Sequence, residues 1–211
     1  EDGDREAGRR RPRLLDLNRA AAQFYYETLH TPQGAAAAEY LNRRKISRRT
    51  ATNFGLGASL DSWDSLLTAM LQKGYTKAEL LAAGLVVQNQ QGRLYDKFRN
   101  RLMFPVIDVR GDVVAFGGRV LDKSEPKYMN TSETMVYSKR RVLYGMNLAK
   151  KTKRSNIILC EGNIDVITLH QAGFDNAVAS MGTALTTGQI RLPRRYNKGL
   201  VLFHDNDAAG Q

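Results

Sequence analysis

Hydrophobic residues recur with two different periods along this chain, and the period changes near Gln90. Before that point, apolar positions follow the helical spacing of about 3.6 residues, as they do between Leu17 and Leu29. We predict a helix there and four shorter helices after it. Asp61 is expected to cap one of these helices, and Gly74 and Gly84 are expected to end two of them. The pattern therefore predicts a mainly helical first half.

Strands are predicted in the second half, where apolar residues alternate with polar ones or form short continuous runs. The segment LYDKFRNRLMFPVIDVRGDVVAFGGRVL reads as strands with a hairpin turn at 110–112. From Ser155 onward, the apolar runs NIILC, NAVAS and GLVLF are separated by two segments that read as helices. Such spacing predicts right-handed crossovers and a parallel sheet. Pro193 is expected to break or kink the second of these helices.

Two structural units follow from this change of period. The first is an α+β N-terminal subdomain, in which helices precede a mixed or antiparallel sheet. The second is an α/β module built on a parallel sheet. We place a charged linker at 1–13, the N-terminal subdomain at 14–153 and the parallel-sheet module at 154–211.

The charge of the chain indicates the kind of partner that it binds. Its 211 residues include 32 Lys and Arg against 21 Asp and Glu, which gives a net charge of +11. A surplus of this size favours a polyanion, with nucleic acid as the first candidate. No apolar run approaches the ~20 residues that span a bilayer, so no membrane partner is expected. Cys160 is the single cysteine, which excludes an internal disulfide. We read it as a small core residue and expect a cytoplasmic protein.

Acidic residues follow two of the predicted parallel strands. Glu161 comes directly after the first strand, and Asp205 and Asp207 come after the third. Asp165 lies one turn into the helix that follows Glu161. Because the carboxyl ends of parallel strands meet at one edge of a sheet, we expect these side chains to converge there.

Two aspartates one residue apart point to the same side of an extended chain and repel each other unless a cation lies between them. Mg²⁺ prefers such oxygen ligands and leaves room for substrate phosphates. Glu161 would then be a third ligand or a proton acceptor, an arrangement suited to nucleotidyl transfer. A lone D-x-D is more often a turn device. The acidic end of a neighbouring strand favours the metal site here.

These residues carry a family resemblance. The segments EGNIDVITLHQAGFDNAVASMGTALT and LFHDNDAAGQ resemble the TOPRIM module of primases, topoisomerases and some nucleases. The segments FRNRLMFP, AFGGR and PKYMN narrow the resemblance to the catalytic core, or RNA polymerase domain, of bacterial DnaG-type DNA primases. The match runs almost end to end, and it implies a TOPRIM module truncated at its C-terminal end.

The resemblance also implies an activity and a set of site residues. The expected enzyme is a nucleotidyltransferase that copies single-stranded DNA into short RNA primers, using ribonucleoside triphosphates and Mg²⁺ or Mn²⁺. Glu161 and Asp165 would be catalytic, and Glu161, Asp205 and Asp207 would hold metal. The replicative helicase is the expected protein partner, through a C-terminal domain absent from this chain, in a replisome at the bacterial nucleoid.

Basic residues near the strand-rich segment are the candidates for binding nucleic acid and nucleotide. Arg99 and Arg101 alternate with Phe98 and Leu102 on a predicted strand, and further basic residues are candidates in adjoining segments: Lys97, Lys127, Lys139, Arg140 and Arg141. A groove with this lining would follow a phosphate backbone with little base readout. A solvated charged face is the alternative. Trp63 is expected to pack against a helix.

Two other functions remain open on the residues alone. One is a TOPRIM-type nuclease or a topoisomerase-like enzyme, although no attacking tyrosine stands out. The other is a non-catalytic, basic nucleic-acid-binding module in which the acidic cluster is structural.

Overall fold

A computed structural model describes residues 2–182, 184–196 and 198–203. The helices are α1 (Asp2–Leu29), α2 (Ala35–Arg43), α3 (Arg48–Asn53), α4 (Ser65–Gln72), α5 (Lys77–Ala82), α6 (Met146–Ala149), α7 (Asn163–Gln171) and α8 (Thr187–Arg194), with a short 3₁₀ turn at Pro32–Gly34. The strands are β1 (Gly57–Ser59), β2 (Val86–Gln88), β3 (Leu94–Asp96), β4 (Arg101–Ile107), β5 (Val113–Val120), β6 (Tyr128–Asn130), β7 (Asn156–Cys160), β8 (Ala177–Ala179) and β9 (Gly199–Leu202). No helix in the described ranges is long and apolar enough to cross a membrane.

The long helix α1 packs one face onto the antiparallel sheet and the helices α4 and α5. Its buried residues recur every three or four positions: Leu14, Leu17, Ala21, Tyr25 and Leu29. Fully burying a large apolar side chain contributes about 1.5–3 kcal/mol. Residues 2–13, which we predicted as a linker, belong to this helix. Their Arg, Glu and Ala residues favour helix, and Arg13 pairs with Glu79 at 2.8 Å.

The first sheet is antiparallel and has the strand order β1-β4-β5-β6. The predicted turn between β4 and β5 is confirmed, because Gly111 has a φ of 94° and Asp108 Oδ1 accepts hydrogen bonds from the backbone N–H groups of Arg110 and Asp112. The expected helix ends at Gly74 and Gly84 are also confirmed, since both adopt positive φ directly after a helix.

Gly57 allows β1 to lie against α1 at the closest contact between the helix and this sheet. A Cβ atom at this position would lie 2.5 Å from the carbonyl carbon of Tyr25 and 2.7 Å from its Cβ. Gly57→Ala is therefore expected to destabilise the protein by about 1–3 kcal/mol, because backbone has to move. Gly8→Ala is the control in α1, where a new Cβ meets nothing within 4 Å. It should stabilise the helix by up to about 1 kcal/mol. Urea unfolding of both variants measures the difference, and equal stability would contradict the contact.

Strands β2 and β3 form a separate two-stranded antiparallel hairpin. The second of the two larger sheets is parallel, with the order β8-β7-β9, and α7 and α8 connect its strands. This confirms the predicted β-α-β-α-β pattern. Pro193 lies next to the last residue of α8, and the helix ends at Arg194. A single cluster of buried residues joins the two sheets, including Phe104 and Val106 of β4, Tyr144, and Cys160 of β7. The two sheets therefore share a core, and the boundary at 153/154 stays a prediction.

Candidate active site and nucleic-acid interface

The acidic residues Glu161 and Asp165 lie at the carboxyl end of β7, the middle strand of the parallel sheet. Glu161 follows the last residue of β7, and α7 begins two residues later. Asp165 Oδ2 accepts a hydrogen bond of 3.2 Å from the backbone N–H of Gly162. A carboxylate in the first turn of a helix is favoured by the helix dipole. Both acidic side chains are exposed at this edge.

Asp205 and Asp207, the other predicted metal ligands, lie outside the described residues. Strand β9 runs parallel to β7 and pairs Leu202 with Leu159. One residue further, the backbone N–H of Phe203 donates to the Leu159 carbonyl at 2.8 Å. The described part of the chain therefore ends at the edge where Glu161 lies.

A hard cation suits the carboxylate oxygens at this edge. Within the described ranges, no group of three or more His, Cys, Asp or Glu side chains is positioned to hold a metal ion. The full ligand set stays a prediction. Cys160 is buried, and burial raises the pKa of its thiol to about 12, with a smaller contribution from Asp165. A thiol with that pKa stays protonated and is a poor nucleophile, which agrees with its prediction as a core residue.

Two asparagines lie where the antiparallel sheet approaches the acidic edge. Asn130 ends β6 of that sheet, and Asn163 begins α7. A Cβ at Gly117 of β5 would lie 3.1 Å from Asn130 Oδ1 and 3.1 Å from Asn163 Nδ2. A Cβ at Gly182, after β8, would lie 3.0 Å from Asn130 Nδ2. The end of β6, the start of α7 and the loop after β8 therefore meet at one place. The AFGGR and PKYMN segments border the acidic edge, a juxtaposition that sequence patterns did not indicate.

Trp63, Tyr95 and Arg99 contact one another at the surface, where Trp63 is exposed and the other two are half-buried. The Arg99 guanidinium lies 4.2 Å from the centre of the Trp63 ring and 5.2 Å from that of Tyr95. The two rings meet edge to face at 5.4 Å. Trp63 precedes α4 and is 63% exposed, so its predicted packing role is wrong. A cavity of about 450 Å³ opens beside the pair, with Arg93 on its lining.

Arg101 faces the interior of the protein and does not share an exposed face with Arg99. It is 5% exposed, and its guanidinium donates hydrogen bonds to the carbonyl oxygens of Gly118, Pro126 and Lys127 at 2.8–3.3 Å. Residues 97–100 form a turn between β3 and β4, in which Asn100 has a φ of 51°. The alternation that we predicted therefore does not hold. The contacts of Arg101 fix the loop that carries Lys127.

The three candidate lysines are placed differently from one another. Lys127 is exposed, and its ammonium lies 5.8 Å from the Tyr128 ring. Lys97 is half-buried, and burial lowers its pKa, with a smaller contribution from the positive charge of Lys139. Lys97 and Lys139 are therefore close enough to interact. The structure brings these two lysines together, and it places Lys127 on the loop held by Arg101.

Comparison with known proteins identifies the class of protein to which this chain belongs. The parallel sheet with its acidic edge is a Toprim-like module, and residues 158–211 match the family described as Toprim-like. Residues 24–150 match a second family, described as DNA primase catalytic core, N-terminal domain. The chain belongs to the family of DnaG-type DNA primases.

Named relatives and solved structures agree with this assignment. The chain is 46% identical over 200 residues to the DNA primase of Clostridium acetobutylicum, and 37% identical over 203 residues to that of Escherichia coli K12. These matches cover 94% and 95% of the chain but 33% and 35% of the relatives, so the chain spans about a third of their length.

Among solved structures, the RNA polymerase domain of Mycobacterium tuberculosis primase DnaG matches at 39% identity with a TM-score of 0.88, covering 94% of this chain and 68% of that one. A DnaG primase catalytic domain bound to single-stranded DNA matches at 37% identity with a TM-score of 0.89, covering 96% and 66%. The predicted fold class is thereby confirmed.

Proposed function

We propose that this chain is the catalytic core of a DNA-directed RNA primase, which makes short RNA primers on single-stranded DNA by metal-dependent nucleotidyl transfer. The observation that supports this most strongly is the position of Glu161 directly after β7, at the carboxyl edge of the parallel sheet, in a chain whose residues 24–150 match the primase catalytic core. Ribonucleoside triphosphates are the substrates and the RNA primer is the product.

Each side chain has a distinct part in this proposal. Glu161, Asp205 and Asp207 would hold Mg²⁺ or Mn²⁺, which neutralises charge on the attacking and leaving oxygens when bound. Glu161 would also be close enough to accept the proton of the attacking 3′-hydroxyl. Asp165, through its hydrogen bond to Gly162, positions the turn that carries Glu161. Lys127 and Lys139 would bind the triphosphate.

Membership of the primase family favours this function over a nuclease or topoisomerase-like activity. Template copying also accounts for Lys127 better than a non-catalytic binding module does, because the PKYMN segment that carries Lys127 borders the acidic edge. Binding of a replicative helicase and a place in the cytoplasmic replisome belong to the same proposal.

Trp63 and Arg99 are expected to bind the DNA template, the aromatic ring by stacking on a base and the guanidinium by contact with phosphate. Trp63→Ala should weaken binding of single-stranded DNA about tenfold, since stacking contributes about 1–3 kcal/mol per base. Arg99→Ala should also lower the slope of log affinity against log salt by about 0.7. Fluorescence anisotropy of a labelled oligonucleotide, measured at several salt concentrations, gives both quantities.

Arg48→Ala is the matched control for Arg99→Ala, because Arg48 is an exposed arginine on α3. The single tryptophan of the chain provides a second readout, since a stacked base quenches its fluorescence. If Arg99→Ala and Arg48→Ala bound DNA alike, and DNA left the Trp63 emission unchanged, the template would have to lie elsewhere.

A further inference from the structure

A second basic surface lies in a cleft whose described lining residues all differ from those of the cavity beside Trp63. The cleft has a volume of about 620 Å³ between the start of α1, the β4–β5 turn, the segment 133–143 and the end of α8. Its apolar floor includes Leu143, Met146 and Leu192, all buried. Five arginines from four different parts of the chain line it: Arg11, Arg110, Arg140, Arg141 and Arg195.

In the part of the chain that the structure describes, these arginines outnumber the acidic residues that line the cleft with them. Among the residues that the structure describes, none of the five forms an ion pair. The described lining has two carboxylates, Asp108 and Glu133, against five arginines, so positive charge remains in excess. Asp108 accepts from the N–H groups of its own turn, and Glu133 accepts from Lys139 N at 2.7 Å. Clustered like charges repel each other. A bound anionic ligand would therefore lower the electrostatic repulsion among the five arginines.

The loop carrying Arg140 and Arg141 is held in place by the first turn of α8. Gln189 is fully buried, and its side-chain amide donates to the carbonyl oxygens of Lys139 and Val142 at 2.8 and 3.1 Å. Thr186 Oγ1 donates to the Arg140 carbonyl at 2.6 Å. These bonds use the backbone of the loop and leave both guanidinium groups exposed. Such a preorganised site loses less entropy when it binds a ligand.

The shape of the surface favours a strand over a small ligand. A second cavity of about 600 Å³ adjoins the cleft, shares Arg140 and Arg141 with it, and continues past the start of α8. The one aromatic residue in the described lining of either cavity is Tyr137, which is buried. The surface therefore offers charge along an extended path and no exposed ring for stacking. That combination suits a phosphodiester backbone bound without base contacts.

We propose that the arginine cleft, defined by Arg11, Arg110, Arg140, Arg141 and Arg195, is a second nucleic-acid contact that binds the phosphate backbone of a strand already held at Trp63 and Arg99. This inference rests on the proposed function, because it extends the path of the same nucleic acid. The strand is either single-stranded template or one strand of an RNA–DNA duplex, since both present the same phosphodiester groups.

The test compares Arg140→Ala/Arg141→Ala with Arg48→Ala/Arg49→Ala, which removes the same charge from the exposed surface of α3. Each variant is titrated with single-stranded DNA of about 8 nucleotides, which one binding site covers, and of about 30 nucleotides. Each variant is also titrated with an RNA–DNA duplex of about 30 base pairs. Comparing its binding with that of single-stranded DNA shows whether the cleft binds the template strand or the duplex. The cleft variant should bind the longer ligand about tenfold more weakly, with a salt slope lower by about 1.4. It should bind the short oligonucleotide normally.

Trp63→Ala separates failure of this proposal from failure of the proposed function. The Trp63→Ala variant should bind the short oligonucleotide more weakly, whereas the cleft variant should bind it as the unmodified chain does. If the cleft variant bound the longer ligands like the α3 variant, or weakened the short and long ligands equally, a second contact would be excluded. Arginine-dependent binding of poly-glutamate without any effect on nucleic acid would also overturn the proposal, in favour of an acidic protein partner.

Discussion

Glu161→Gln is expected to abolish primer synthesis while leaving the binding of single-stranded DNA unchanged. The amide keeps the size and one oxygen of the side chain but loses its negative charge, so it can neither accept a proton nor neutralise a divalent cation. Loss of a general base alone lowers a rate by about 10²- to 10⁴-fold, and loss of a metal ligand adds to this. The measurement is the incorporation of labelled ribonucleotides into short RNA on a single-stranded template with Mg²⁺.

Glu39→Gln is the matched control, because Glu39 is an exposed glutamate on α2 that pairs with Arg43. It should leave synthesis unchanged. Titration of Mn²⁺, followed by calorimetry, gives a readout independent of turnover and should show weaker binding in Glu161→Gln. Normal synthesis by this variant would remove Glu161 from the mechanism. Cleaved DNA in place of RNA product from the unmodified chain would favour a nuclease.

The topology of the second sheet could be predicted because its strands have a strong local signal. Strands covered by helices on both faces are apolar throughout. The runs at β7 and β9 both have such a sequence, although Val201 and Leu202 of β9 are exposed among the described residues. Once the order strand-helix-strand is known, parallel pairing follows, and with it the placement of Glu161 at the carboxyl edge. The position of this residue was therefore accessible from chain topology alone.

The short strands β1, β2 and β6 were not predicted, because each has three residues, which is too few for a clear alternation of apolar and polar positions. The position of β1 depends on the close approach of Gly57 to Tyr25. The meeting of Asn130 and Asn163 has the same origin, since their separation in the chain gives no local signal. Contacts between elements, and not periodicity, determine both features.

The basic interface was predicted in part, and its error has a definite cause. The sequence predicts a continuous strand through residues 97–101, in which alternate residues share a face. The positive φ of Asn100 interrupts that strand. Arg99 is therefore half-exposed beside Trp63, whereas Arg101 turns inward to the carbonyl oxygens around Lys127. A single residue in the left-handed conformation thus places the two arginines in different surroundings, one half-exposed beside Trp63 and one buried among carbonyl oxygens.

Asp96 connects the stability of the first subdomain to the proposed template site. Its carboxylate accepts hydrogen bonds from the first N–H groups of α4, those of Leu66 at 2.8 Å and Leu67 at 2.9 Å. Its own backbone N–H donates to the Trp63 carbonyl, and its carbonyl accepts from Arg99 Nη1, both at 2.7 Å. The residue is 1% exposed, and burial raises its pKa despite these bonds. Sequence patterns assigned a helix cap to Asp61, and that prediction is wrong.

Asp96→Ala is therefore expected to destabilise the protein by about 2–4 kcal/mol, because it leaves two buried N–H groups of α4 without acceptors. Asp96→Asn keeps one acceptor oxygen and should lose about half as much. Asp61→Ala, at the exposed residue that the sequence favoured, should change stability by less than about 0.5 kcal/mol. Urea unfolding followed by Trp63 fluorescence measures all three, and the same probe reports whether the Trp63–Arg99 group is disturbed. Equal losses in Asp96→Ala and Asp61→Ala would show that α4 is not held by this carboxylate, and that the template site does not depend on it.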